Sequence, residues 1–191
     1  MRAISPGSTV VALWLCWIAY WTAASLAVKP SARRETMLSR LLHLAPLAIA
    51  VLLIWGPSPQ LGALRARFVP PSPAVEWTGA VLVAAGLAFA VWARIHLGAN
   101  WSGIVTVKRG HELVTGGPYA IVRHPIYTGL VLAFVGSAIA LGELRGVLAV
   151  AVVAASLWRK LRLEERWMAE QFGADYERYR RRVRALVPFV L

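Results

Sequence analysis

Residues 126–158 read IYTGLVLAFVGSAIALGELRGVLAVAVVAASLW, an apolar run of 33 residues broken in its middle by LGELRG. At ~1.5 Å per residue a helix of that length would be about 50 Å long. That is too long for one crossing of a ~30 Å hydrocarbon layer and short for two separate crossings. The reading that fits is a tight helical hairpin turning between Gly142 and Gly146. Small residues line both arms, Gly129, Ala133 and Ser137 on the first and Ala151 and Ala155 on the second. Such residues let helix backbones approach closely in a membrane, so the two arms are expected to pack on each other through them.

Three more apolar runs lie upstream. Residues 8–28 carry no charge, residues 38–55 are interrupted only by Arg40 and His43 near one end, and residues 75–97 hold Glu76 and Arg94 near their ends. Each is long enough to span a membrane. The expected fold is an all-α integral membrane bundle of about five transmembrane helices, the last two a tight hairpin, followed by a cytoplasmic C-terminal amphipathic helix. Composition agrees: of 191 residues 58% are hydrophobic and 16% charged, with mean hydropathy +0.58, against about 25% charged in soluble domains. Disorder is excluded by the same richness. The 21 basic against 9 acidic residues, net +12, would suggest nucleic acid in a soluble protein, but unbroken apolar runs exclude that partner. The single cysteine, Cys16, excludes a disulfide framework and a Cys-based zinc site; no metal is expected, and Cys16 reads as an inert thiol facing the membrane or a packing contact.

The basic residues orient the bundle. With the N-terminus outside, the segments 29–40, 94–123 and 159–191 face the cytoplasm and hold 17 of the Lys and Arg, against 4 in the N-terminal tail, the 56–74 loop and the hairpin tip. That is the positive-inside pattern, and it requires all five spans. Cleavage after the Ala-Ser-Leu-Ala that ends at Ala27 would leave an even number and spoil it, so the first run is expected to stay. The cell inner membrane is the expected location, with the C-terminus and the active site cytoplasmic. The chain divides into residues 1–74, two helices and an external Pro-rich loop, and residues 75–191, a catalytic core.

Residues 97–127, LGANWSGIVTVKRGHELVTGGPYAIVRHPIY, form a loop long enough to suggest function. Residues 105–108 suit a short extended segment, and Gly116-Gly117-Pro118 a tight turn. Arg123-His124-Pro125 stands directly before a membrane helix, with Pro125 suited to its first turn. The free amides and partial positive charge of such a terminus seat a carboxylate or other anion. Singly, Arg123, His124 and Tyr127 are what any membrane boundary carries; the string as a whole is too particular for anchoring alone.

Beyond Trp158 the chain reads RKLRLEERWMAEQFGADYERYRRRVRALVPFVL. Leu161, Met168, Phe172, Tyr176, Tyr179, Val183 and Leu186 recur at helical spacing, with Gly173 a possible break. Arg178, Arg180, Arg181, Arg182 and Arg184 surround this stripe, as on an interfacial helix held to anionic lipid. Glu164 and Glu165 fit that picture poorly. A carboxylate there could receive an amine or sulfonium cation, or pair with an arginine.

GGPYAIVRHPIYTG, preceded by LGANWS and followed by EERWMAEQFGADYERY, resembles the isoprenylcysteine carboxyl methyltransferase family, and the phospholipid N-methyltransferases are similar in the same segments. The resemblance covers roughly residues 95–188. It implies an enzyme dependent on S-adenosyl-L-methionine, with a cytoplasmic cofactor pocket over the helix ends and a lipid-side route for a lipophilic acceptor, either an isoprenylcysteine-like carboxylate or a lipid amine. By position Gly117, Pro118, Tyr119, Arg123, His124, Pro125 and Tyr127 match the cofactor motif. Glu164 and Glu165 match a second acidic element, and Tyr176, Tyr179 and Arg180 or Arg181 would complete the pocket or meet the acceptor. Arg123 or a tail arginine would hold a carboxylate acceptor. The tail departs from the family's usual Val-Pro-Arg, reading Val183-Arg184-Ala185, which leaves the assignment of any one tail arginine open. No Gly-rich nucleotide loop after a strand is present, which excludes the soluble dinucleotide-type methyltransferase fold. The expected partners are a lipophilic or lipid substrate and membrane lipids, with no obligate protein partner. Two other classes stay open: a sterol-reductase-like membrane enzyme using NADPH, and a non-enzymatic membrane subunit of the same fold.

Overall fold

A computed structural model describes residues 5–26, 31–34, 36–57, 62–98, 101, 106–108 and 113–188. Helix α1 (Pro6–Ala24) starts where Ser5 accepts a hydrogen bond from the Ser8 amide, with Pro6 in the first turn. Helix α2 (Met37–Trp55) is capped in the same way by Thr36, and α3 (Pro73–Leu97) by Ser72 with Pro73 behind it. The hydroxyl satisfies a free amide at all three starts, and at α1 and α3 the proline after it pre-sets the first helical φ. The apolar run 8–28 is helical to Ala24; its last residues lie outside the described ones.

Helices α4 (Pro125–Leu141) and α5 (Leu144–Phe172) form the expected hairpin. Its turn is only Gly142 and Glu143, shorter than the 142–146 read from sequence. Gly142 takes φ +72, and the loop before α3 closes the turn from outside: Phe68 N donates to Gly142 O at 3.0 Å and Leu144 N to Ala66 O at 2.9 Å. With those partners two residues suffice, and Gly146 falls inside α5.

The small residues of α4 do not face α5, which corrects the sequence reading. They face α3. Gly79 and Gly86 on α3, seven residues apart, meet Gly136 and Gly129 on α4 in antiparallel order. A Cβ on Gly79 would lie 2.5 Å from Gly136 O, and one on Gly86 2.5 Å from Gly129 O. Ala133 fits the same seam, whereas Ala151 and Ala155 point outward from α5. The backbones of the hairpin arms come close near the turn, where Gly146 stacks on Ala138, and side chains join the arms again at the far end, where Tyr127 donates to Glu164. Helices α3 and α4 are thus the centre of the bundle, with α1 against α3 and α5 against α4 and α2.

Among the described residues three helices, α1, α2 and α3, are long and apolar enough to cross a membrane; α4, with 17 residues, is shorter. Helix α5 is apolar to Trp158 and charged beyond it. Side-chain bonds to helix-end carbonyls register the helices. At one end Arg94 donates to Ala24 O at 2.6 Å and Gly98 O at 2.7 Å, Ser156 to His43 O at 3.0 Å and Arg159 to Ser39 O at 3.2 Å. At the other, Arg145 donates to Leu53 O at 2.9 Å and pairs with Glu143 at 2.6 Å. Arg94 and Arg145 satisfy carbonyls that the C-terminal ends of α1, α3 and α2 leave open. Trp14 ties α1 to α4 by donating to Ser137 Oγ at 3.0 Å. Cys16 is exposed on α1, the outward of the two placements expected for it.

Of the 105–108 segment, residues 106–108 form a strand, β2 (Thr106–Lys108), paired antiparallel with β1 (Ser31–Arg34); Val105 lies outside the described residues. The ribbon joins the loops after α1 and α3. A further helix, α6 (Ala174–Arg182), follows Gly173, which takes φ +49 and breaks the C-terminal helix where the sequence allowed.

Candidate active site at the start of α4

The site begins with Gly117. Its φ is +58, and a Cβ there would sit 2.8 Å from the His96 imidazole, so only glycine lets the chain pass His96. Residues Gly117–Ala120 make one 3₁₀ turn that buries Pro118 and Tyr119. The ring of Tyr119 stacks on His96, centroids 6.4 Å apart. Its carbonyl accepts from the buried Tyr179 hydroxyl at 2.6 Å, which fixes α6 against the turn.

The C-terminal segment then runs beside the Arg123-His124 step. Val122 and Arg184 form a parallel bridge; Arg123 N donates to Arg184 O at 2.7 Å and His124 N to Ala185 O at 3.0 Å. One residue group later, Thr128 Oγ1 donates to Leu186 O at 2.7 Å. Pro125 opens α4 as expected, and the N-cap side chain of His124 makes no capping bond to the first turn. The positive end of α4 is therefore not neutralised by its own N-cap.

Both acids of α5 reach this point. Arg123 donates to Glu165 Oε1 through Nε at 2.8 Å and Nη2 at 2.5 Å, with both side chains 8% exposed. Its Nη1 goes to the carbonyls of Val183 and, at 3.2 Å, Arg180. His124 Nε2 lies 3.4 Å from Glu165 Oε1. Burial would raise the Glu165 pKa, but the hydrogen bonds and charge of His124 and Arg123 outweigh it and hold it down at about 2. Glu165 is thus a fixed anion that ties α4, α5 and the tail together.

Glu164, next along α5, is the more open of the two at 24% exposure. Tyr127 donates to its Oε1 at 2.6 Å, and His124 Nδ1 lies 3.6 Å from its Oε2. The rings of His124 and Tyr127 stack within 6° of parallel, 5.5 Å apart. The Lys160 ammonium stands 5.5 Å from the Tyr127 ring centroid, a cation–π geometry. Burial raises the pKa of Tyr119, reinforced by the nearby Glu164, and burial likewise raises Tyr176 and Tyr179. These phenols stay neutral donors.

The structure thus brings together Gly117, Pro118, Tyr119, Arg123, His124, Pro125, Tyr127, Glu164, Glu165, Tyr176 and Tyr179. Arg180 reaches the edge, its Nε 3.9 Å from Glu165 and its Nη1 3.6 Å from Glu177, and stays 46% exposed. Arg181 is exposed and makes no bond to the cluster among the described residues. Sequence reading missed Lys160, hidden in a basic run that also supplies exposed neighbours, and His96, whose role appears only when the Gly117 backbone passes it. A histidine in the last turn before a glycine at a helix end was the available signal for His96.

The donor set suits a ligand carrying an aromatic base, a carboxylate and a positive centre. An open helix terminus suits the carboxylate, tyrosine and histidine rings suit the base, and Glu164 suits the cation.

Residues 75–175 match the family model described as phospholipid methyltransferase, and the chain belongs to that family. Among curated relatives, a protein-S-isoprenylcysteine O-methyltransferase of Schizosaccharomyces pombe is 36% identical over 104 residues, covering 51% of this chain and 43% of the relative. Protein-S-isoprenylcysteine O-methyltransferase B of Arabidopsis thaliana is 35% identical over 102 residues, half of each chain (50% and 50%). The mouse protein of that name is 32% identical over 133 residues, covering 64% and 46%. The matches span about half the length of these relatives, so the resemblance read from the two motifs is borne out at the level of family. The structure of a eukaryotic intramembrane Ras methyltransferase, isoprenylcysteine carboxyl methyltransferase, superimposes with a TM-score of 0.52 at 22% identity, covering 83% of this chain and 55% of that one. That likeness is one of fold: the chain is a helical integral membrane protein.

Proposed function

We propose that the chain is a membrane-embedded methyltransferase that uses S-adenosyl-L-methionine to methylate a lipophilic acceptor. The observation that carries this reading is the joining of the Arg123-His124-Pro125 helix start to the Glu164-Glu165 pair, through Arg123–Glu165 and Tyr127–Glu164 bonds. When bound, the cofactor supplies a methyl group on a sulfonium. The amides at the start of α4 would hold its carboxylate, Tyr119, Tyr127 and His124 its base, and Glu164 its α-ammonium, a group that S-adenosylhomocysteine shares. Transfer to an acceptor in line needs positioning and exclusion of water above all.

Arg123 is fully engaged by Glu165 and two carbonyls, so it positions the tail. For the acceptor an isoprenylcysteine-like carboxylate is favoured over a lipid amine, because Lys160 adds a cation to the cluster. Lys160 is better placed to orient it than Arg180, which is half exposed and already lies between two acids. Five spans with the N-terminus outside, a cytoplasmic site and an inner-membrane location fit the side on which Arg94, Ser156 and Arg159 gather the helix ends. The division at residue 74 sets the helices α1 and α2 apart from the part that carries the site. Purified protein given labelled S-adenosyl-L-methionine and an S-farnesylcysteine should form a base-labile methyl ester; label found only in lipid amines would reverse the choice of acceptor.

A further inference from the structure

An open cleft of about 270 Å³ lies on the Glu165 side of α5, lined by Trp158, Leu161, Arg162 and Arg184 and, shared with the site above, by Arg123, Glu165 and Arg180. The stripe 158, 161, 162, 165 is one helical face, so Glu164 and Glu165 look to different sides of α5. The cleft's one acid is Glu165, and Arg123 already neutralises it at 2.5 Å. Arg180 divides itself between Glu165 and Glu177. Arg162 and Arg184 are exposed and have no ion-pair partner among the described residues. The concavity therefore holds uncompensated positive charge from two directions, α5 and the tail. Trp158, 41% exposed, forms its upper rim at the point where α5 turns from apolar to charged, the level at which tryptophan marks a membrane interface.

A ligand that matches has an anionic head to meet Arg162 and Arg184 and an acyl tail to run up past Trp158 along the apolar half of α5. We infer that this cleft seats the phosphate of an anionic phospholipid of the adjoining leaflet, beside the methyl-transfer site and behind its Arg123–Glu165 pair. Arginine suits phosphate because its planar fork presents paired donors, and arginines near an anionic surface each add to binding. The inference rests on the proposed membrane seating of α5 but not on the methyltransferase reading.

The test is native mass spectrometry of the full-length protein released from nanodiscs of mixed phosphatidylglycerol and phosphatidylcholine, wild type against the Arg162→Gln/Arg184→Gln double variant. Wild type should retain phosphatidylglycerol about tenfold over phosphatidylcholine, and the double variant should lose that preference, with S-adenosylhomocysteine binding unchanged in both as the check on folding. Equal retention of the two lipids by wild type, or an undiminished preference in the variant, overturns the site. Inorganic phosphate displacing the lipid at equal concentration would make the ligand a free anion and also overturn it, as would displacement by S-farnesylcysteine, which would make the cleft the acceptor's. Lipid retention without S-adenosylhomocysteine binding would leave this site standing and remove the methyltransferase reading.

Discussion

The Tyr127 hydroxyl, half a turn inside α4, donates a 2.6 Å hydrogen bond to Glu164 of α5, 37 residues away in the chain. That bond aims a carboxylate at the open end of α4, while the neighbouring Glu165 is locked away by Arg123. Two adjacent acids thus have separate surroundings, one partly open and one locked in an ion pair, because successive side chains on a helix diverge by about 100°.

Glu164→Gln should weaken S-adenosylhomocysteine binding about ten- to a hundredfold, the effect of losing a charged hydrogen-bonding partner, with little change in thermal stability because the side chain is partly open. Tyr127→Phe should weaken it less. Titration calorimetry and thermal unfolding of the same samples check both.

Glu165→Gln or Arg123→Gln should cost about 3–5 kcal/mol of stability by leaving a buried charge uncompensated. The Glu165 pKa is depressed in the folded state to about 2, against about 4.3 unfolded. Its contribution is therefore complete above about pH 4.3 and is lost as the pH falls toward 2. Acid unfolding monitored by tryptophan fluorescence should show this loss in wild type and a flatter profile in Glu165→Gln.

Gly86→Leu should prevent the close approach of α3 and α4, with a loss of more than about 4 kcal/mol, since its side chain would meet backbone and not a movable neighbour. Ala151→Leu, on the outward face of α5, should stay within about 0.5 kcal/mol of wild type. Detergent-resistance or thermal-melting assays separate the two; equal effects would mean that the α4 stripe has been placed against the wrong helix.

Lys160→Met should reduce kcat/KM for a carboxylate acceptor about a hundredfold, as expected for loss of a charge that orients the reacting group. Arg181→Gln, remote from the cluster, should leave turnover within about twofold. Initial rates at saturating cofactor provide the comparison.

Helix positions and the hairpin were legible because apolar run length, Ser or Thr caps and Pro at first turns are local signals; α3 begins at Pro73 behind Ser72 for that reason. Which helices the small residues join was not. Gly129, Ala133 and Ser137 form a stripe that any neighbour could fill; the seven-residue spacing of Gly79 and Gly86 matches Gly129 and Gly136 and selects α3, whereas Ser137 goes to Trp14 of α1. Arg123, His124 and Tyr127 lie together because they share one helix start, and Glu164 and Glu165 because they share one helix. The division of labour between the two acids, the engagement of Arg123 by tail carbonyls and the approach of Lys160 and His96 depend on how α5 and the tail dock, which no local pattern encodes.

The most direct test of the account is calorimetric titration of the full-length protein, in detergent or nanodiscs, with S-adenosylhomocysteine and separately with NADPH. The account predicts saturable one-to-one binding of S-adenosylhomocysteine, weakened by Glu164→Gln, and no binding of NADPH. Binding of NADPH alone would assign the same fold to a reductase, and binding of neither to folded protein would contradict an enzyme built on this site.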